Sequence, residues 1–264
     1  MPVVDVHAHI YPDKVAEKAS QSIGNFYHIP MEEQDGSVWR LLNEIDGSDI
    51  TRCVVHSVAV RPGTVESIND FISATCKEHQ EFVGFMTLHQ DTPDIEAEIE
   101  RACGLGLHGI KLHPDTQAVN MDDDRLMPVY EIAERRGLPL IIHCGDYRYD
   151  YSHPRRLKRI LHEFPQLVVD AAHFGGWSIQ DYALEFLEDE RCYLDMSSSM
   201  RFLGPRRTRE LVETYGYDRI LFGSDFPMWQ PINELKTFRA VGFSQDALDR
   251  MCWYNTERFL GMDL

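Results

Sequence analysis

Eight short apolar runs recur along the chain, separated by stretches with helical periodicity. They fall at Val3–Val6, Cys53–Val55 with Val58, Phe82–Leu88, Gly109–Leu112, Leu138–Ile142, Leu167–Ala172, Cys192–Met196 and Ile220–Phe222. Runs that are apolar on both faces suit parallel strands covered by helices. Between them, Val65, Ile68, Phe71 and Ile72 recur at helical spacing. Val129–Arg136 is a helical stretch that stops at Gly137, with Pro139 opening the next run. Ser244 is placed to cap a last helix carrying Leu248, Met251, Cys252, Phe259 and Leu260. From His9 to Asp225 the repeat averages about 31 residues, close to the ~250 residues of an eightfold βα barrel divided by eight. No G-x-G-x-x-G follows the first run, which disfavours a dinucleotide-binding doubly wound sheet. The expectation is a single α/β domain over residues 1–264, a (β/α)8 TIM barrel. The stretch from Ser20 to Gly47 breaks the rhythm, and Gly24–Pro30 within it reads as a loop over the barrel mouth.

Barrels of this kind carry their chemistry at the C-terminal strand ends. Those ends read His7 and His9, His56, His89, Lys111 and His113, His143, His173, Ser197 and Asp225 in chain order. Seven of the twelve histidines thus fall at a predicted strand terminus, where random placement would scatter them. His7 and His9 are two apart on one strand, so their rings share a face. A rim of imidazoles with one carboxylate matches the ligand preference of a divalent ion, zinc first, with manganese, iron and cobalt open. His56, His89 and His113 are expected to support or pack against the ligands.

His7-x-His9, Gly109-Ile-Lys-Leu-His-Pro114, His143-Cys-Gly145, His173-Phe-Gly-Gly176 and Gly223-Ser-Asp-Phe-Pro227 together resemble the amidohydrolase superfamily. More closely they resemble its amidohydrolase-related branch, which includes aminocarboxymuconate-semialdehyde decarboxylase, and Asn255–Arg258 is similar to that branch's closing helix. The resemblance implies a barrel of the metal-dependent hydrolase type, with His7, His9, His143 and Asp225 holding one metal ion, expected to be Zn2+. It implies that His173, with Asp225, handles protons. Some superfamily members bridge two metals through a modified lysine on the fourth strand. The branch resembled here works with one metal, so Lys111 is read as a substrate contact or wall residue. Arg148, Trp177 and His56 are further candidates for touching substrate.

Composition narrows the partners. The chain has 26 Lys and Arg against 43 Asp and Glu, a net charge of −17, which argues against nucleic acid. Arg155–Arg159 and Arg206–Arg209 read as solvated helix faces. No apolar stretch is long enough to span a membrane, and no basic n-region with an apolar core opens the chain. Six scattered cysteines without C-x-x-C suit reduced, buried thiols. A cytoplasmic enzyme acting on a small molecule is expected, with a homodimer as the default assembly.

The leading expectation is metal-assisted hydrolysis of an amide, lactone or ester by an activated water. The alternative is nonoxidative decarboxylation of a small aromatic or unsaturated acid, with Arg148, Lys111 or Arg201 holding carboxylates. A catalytically silent, ligand-binding barrel is the third reading.

Overall fold

The computed structural model describes residues 1–264. Strands and helices alternate as β1 (Val3–His9), α1 (Asp13–Tyr27), α2 (Val38–Ile45), β2 (Ile50–His56), α3 (Val65–Glu78), β3 (Phe82–Thr87), α4 (Ile95–Gly104), β4 (Gly109–Leu112), α5 (Pro114–Gln117), α6 (Met127–Arg136) and β5 (Leu140–Ile142). The order continues with α7 (Pro154–Glu163), β6 (Val169–Ala171), α8 (Gln180–Leu187), β7 (Leu194–Asp195), α9 (Met200–Tyr215), β8 (Ile220–Leu221), α10 (Pro231–Ala240), α11 (Gln245–Asp249) and α12 (Asn255–Leu260).

β1 to β6 form one parallel sheet in sequence order, and β7 pairs with β8. Backbone hydrogen bonds join the pieces into a ring. Ala171 and Tyr193 link β6 to β7, while Val6 N donates to Phe222 O and Asp225 N to His7 O between β8 and β1. The eight predicted runs all coincide with strands, and the structure is the expected α/β barrel. Every residue of β1 is buried, including the polar Asp5, His7 and His9.

The helix boundaries follow from local chemistry. Gly137 ends α6 in the left-handed region (φ 65°), and the Ser244 side chain accepts from Ala247 N to start α11. The basic clusters lie on α7 and α9, with Arg156 and Arg159 paired to Asp122. All six cysteines are free thiols. No helix is long and apolar enough to cross a membrane.

The excursion after β1 differs from its sequence reading. Gly24–Tyr27 is the last turn of α1, not loop, and the chain leaves the helix at His28 in the left-handed region. Gly24 survives inside the helix because a Cβ there would lie 2.9 Å from Met31 Cγ, so the returning chain packs directly on the backbone. The excursion does cover the barrel mouth, but as a helix.

Candidate active site

β1 delivers His7 and His9 side by side, and β8 ends in a turn that brings Asp225 across to them. Asp225 Oδ1 lies 3.5 Å from both His7 Nε2 and His9 Nε2. Asp225 adopts φ 64°, a region ordinarily avoided by residues with a side chain, and so does His173 at φ 62°. Such backbone strain gathers where a site over-determines the conformation. Asp225 does not cap a helix. Its other oxygen accepts from Ser198 Oγ, which in turn accepts from Trp229 Nε1 at 2.8 Å.

β5 and β6 supply the opposite side of the centre. His173 Nε2 lies 3.0 Å from His143 Nδ1. His173 Nδ1 faces Ser197, 3.0 Å from its carbonyl and 2.9 Å from its hydroxyl. The two loops can come this close because Gly145 and Gly176 meet backbone to backbone. A Cβ on Gly145 would fall 2.5 Å from Gly176 Cα, and Gly145 also holds φ 74°.

Beneath the rim runs a buried layer of charge. Asp195 Oδ2 is 2.7 Å from His7 Nδ1, so the imidazole turns Nε2 toward Asp225. Burial pushes the Asp195 carboxyl up, but His7, His173 and the Ser197 hydroxyl outweigh it and hold the group well below the usual range. Its neighbour Asp170 goes the other way, pushed well up by burial and by the Asp195 charge. Lys111 is fully buried, with Nζ 2.8 Å from His7 Nε2. Burial lowers its pKa to about 8 despite Asp225, Asp195 and Asp170. Asp115 Oδ2 sits 3.3 Å from His143 Nε2, and His113 stacks on His143 with ring centroids 3.9 Å apart.

The donor set suits a divalent ion. Two imidazole nitrogens converge on one carboxylate oxygen. Burial keeps His9 and His143 well below their usual pKa, and His173 at about 4, so the rings stay neutral with lone pairs available. His9 Nδ1 and both nitrogens of His56 are buried without a partner in the protein, polar atoms of the kind that normally find one. His7 would have to exchange its Lys111 contact to ligate through Nε2.

A cavity of about 410 Å³ opens above this centre. His7, His9, His113, His143, His173 and Asp225 form one wall. The rest of the lining is mainly apolar, with Ala19, Ile23 and Phe26 from α1, Val58 and Val60 after β2 and Met228 after β8, interspersed with the hydroxyls of Tyr11, Ser22, Tyr27 and Thr116. The five residues expected to hold metal or move protons, His7, His9, His143, His173 and Asp225, all face this cavity.

None of the four expected substrate contacts is on its wall. Lys111 and His56 are fully buried below it, the His56 ring 4.4 Å from that of His9. Trp177 is buried behind Tyr27, ring centroids 4.7 Å apart. Arg148 is held by Asp146 through a 2.6 Å bond, donates to Phe26 O at 2.5 Å, and lies over the Phe26 ring. It fastens α1 over the mouth. Sequence reading missed Asp195, Asp115 and Tyr27, whose hydroxyl is 2.7 Å from His113 Nε2. An acid inside an apolar run, as Asp195 is in Tyr193-Leu-Asp-Met196, was the available signal for the first.

Comparison with known proteins bears on the family and the fold. A family described as amidohydrolase matches residues 4–262. The curated 2-amino-3-carboxymuconate-6-semialdehyde decarboxylase of Dictyostelium discoideum is 21% identical over 332 residues, spanning 98% of this chain and 92% of that protein. An uncharacterized TIM-barrel protein of Bordetella bronchiseptica superposes with a TM-score of 0.78 at 19% identity, covering 99% of each chain. A dihydroxybenzoic acid decarboxylase of Polaromonas sp. JS666, solved with bound manganese and the inhibitor 2-nitroresorcinol, gives a TM-score of 0.75 at 16% identity over 98% of this chain and 97% of its own. With eight parallel strands in a ring, histidines and an aspartate at their ends and a family match over nearly its full length, the chain belongs to the amidohydrolase family.

Proposed function

We propose that the protein is a metal-dependent carboxy-lyase that removes CO2 from a small aromatic or unsaturated acid. The observation that supports this reading over hydrolysis is the division of the cavity. One side offers donors for a cation and a carboxylate, and the rest of the lining is mainly apolar, interrupted by the neutral hydroxyls of Tyr11, Ser22, Tyr27 and Thr116. A carboxylate disperses its charge as CO2 departs, so an environment poor in water favours the step. The decarboxylase named among the relatives is consistent with this reading.

His7, His9, His143 and Asp225 would hold the ion, which supplies Lewis acidity at the strand ends. The carbon–carbon bond breaks, its electron pair stays on the substrate carbon, and that carbon takes a proton. His173, which faces the cavity with Ser197 on its Nδ1 and His143 beside its Nε2, is the ring placed to relay this proton. Asp225, on the same rim, is the second group placed to move a proton. Asp195 keeps His7 in the tautomer that presents Nε2.

Purified, metal-loaded protein incubated with a panel of benzoic and unsaturated acids should release CO2, and prior chelation should abolish the release. Cleavage of lactones, esters or amides without CO2 would restore the hydrolytic reading. Inertness toward both panels with metal in place would leave a ligand-binding barrel.

A further inference from the structure

The cavity has no positive charge to spare. Of the 17 residues lining it, none is a lysine or an arginine. The cations that could have reached in are committed elsewhere. Arg148 is spent on Asp146 and the Phe26 carbonyl. Arg201 pairs with Glu32 and lies 4.3 Å from the Trp229 ring centroid. Lys111 is sealed under His7. Arg61, next in the chain to Val60, is exposed and not among the wall residues.

We infer that the cavity selects acids carrying a single carboxylate, and rejects those with a second one on the ring or chain. This rests on the decarboxylase reading, with the one carboxylate seated against the histidine wall. A second carboxylate would have to lie among Ile23, Phe26, Val58 and Met228, where the only polar groups nearby on the lining are the neutral hydroxyls of Tyr11, Ser22, Tyr27 and Thr116 and no cation is there to replace its water. The protein's net charge of −17 adds to the penalty for a dianion. A cation placed on that wall should therefore convert the preference.

Calorimetric binding of benzoate and isophthalate to the manganese-loaded protein tests this, since the two differ by one ring carboxylate. Benzoate should bind at least tenfold more tightly. Val60→Arg, at a half-exposed rim position that tolerates a long side chain, should narrow or invert that ratio, and Ile23→Arg on α1 provides the same cation from another element. Equal or tighter binding of isophthalate by the unaltered protein overturns the inference. So does discrimination that neither arginine changes, because the missing cation would then not be its cause. Failure to bind either acid overturns the inference together with the decarboxylase reading. Discrimination in binding without CO2 from any acid sinks the decarboxylase reading alone and leaves charge selection standing.

Discussion

The two walls of the cavity are built on different principles. On the histidine side three of the four functional rings have a buried group behind them, and His9 Nδ1 has no partner. Asp195 braces His7, Ser197 braces His173, and Asp115 lies against His143. On the apolar side, α1 is tied down by a few polar contacts near the rim, chiefly Arg148 to Phe26 O and Tyr27 to His113. Buried carboxyls show the same contrast. Asp195 is surrounded by donors and stays ionised. Glu234, on α10 near Arg201 and the Glu32 of the excursion, is pushed up to about 7 by burial, with Glu32, Asp5 and Asp225 adding to the rise and Arg201 opposing it. The strand ends thus carry the donors, while the excursion supplies much of the apolar lining opposite them.

The sharpest way to break this comparison is to remove a donor from the histidine wall. His9→Ala should drop bound divalent metal well below one per chain by elemental analysis, and cost several kcal/mol of catalysis, on the order of 10³-fold in turnover. Retained metal and activity would show that the wall is not the centre. The next effect concerns Glu234. Its folded pKa is raised above the unfolded value of 4.5, so the fold binds the proton more tightly than the unfolded chain. Stability is then complete below about pH 4.5 and falls as pH climbs to about 7. Glu234→Gln should therefore stabilise the protein by about 3 kcal/mol at pH 8. Urea titrations should show that gain vanishing near pH 4.5, and a gain constant with pH would contradict the assignment. Asp195→Asn should weaken metal binding about 10- to 100-fold in competition with a chelator, by freeing the His7 tautomer. An unchanged affinity would mean that His7 needs no brace. Tyr27→Phe, on the other wall, should cost only about 1 kcal/mol of stability, the value of one hydrogen bond, with metal content intact. A larger loss, or loss of metal, would erase the distinction between the walls.

The barrel was legible in the sequence because its strands are apolar on both faces and end in recognisable polar residues. His7 and His9 show themselves through period two, and His143, His173 and Asp225 through their place after apolar runs. What pattern cannot supply is partnership across the chain. His7 and Asp195 are 188 residues apart, and Arg148 meets Phe26 across 122. Arg148, Lys111 and Arg201 look like free cations in a linear reading, and only the fold shows each of them occupied. The helix α1 was hidden for a related reason, since Gly24 signals a break locally but is explained by Met31 packing over it.

The contact between Gly145 and Gly176 bears on the geometry of the site. Because Gly145 carries no Cβ, the backbones that follow His143 and His173 approach as closely as main chain allows. A single methyl added at Gly145 would press on the Gly176 backbone, and one at Gly176 would press on Ala183 and Ile179, so either would disturb the loops that carry His143 and His173.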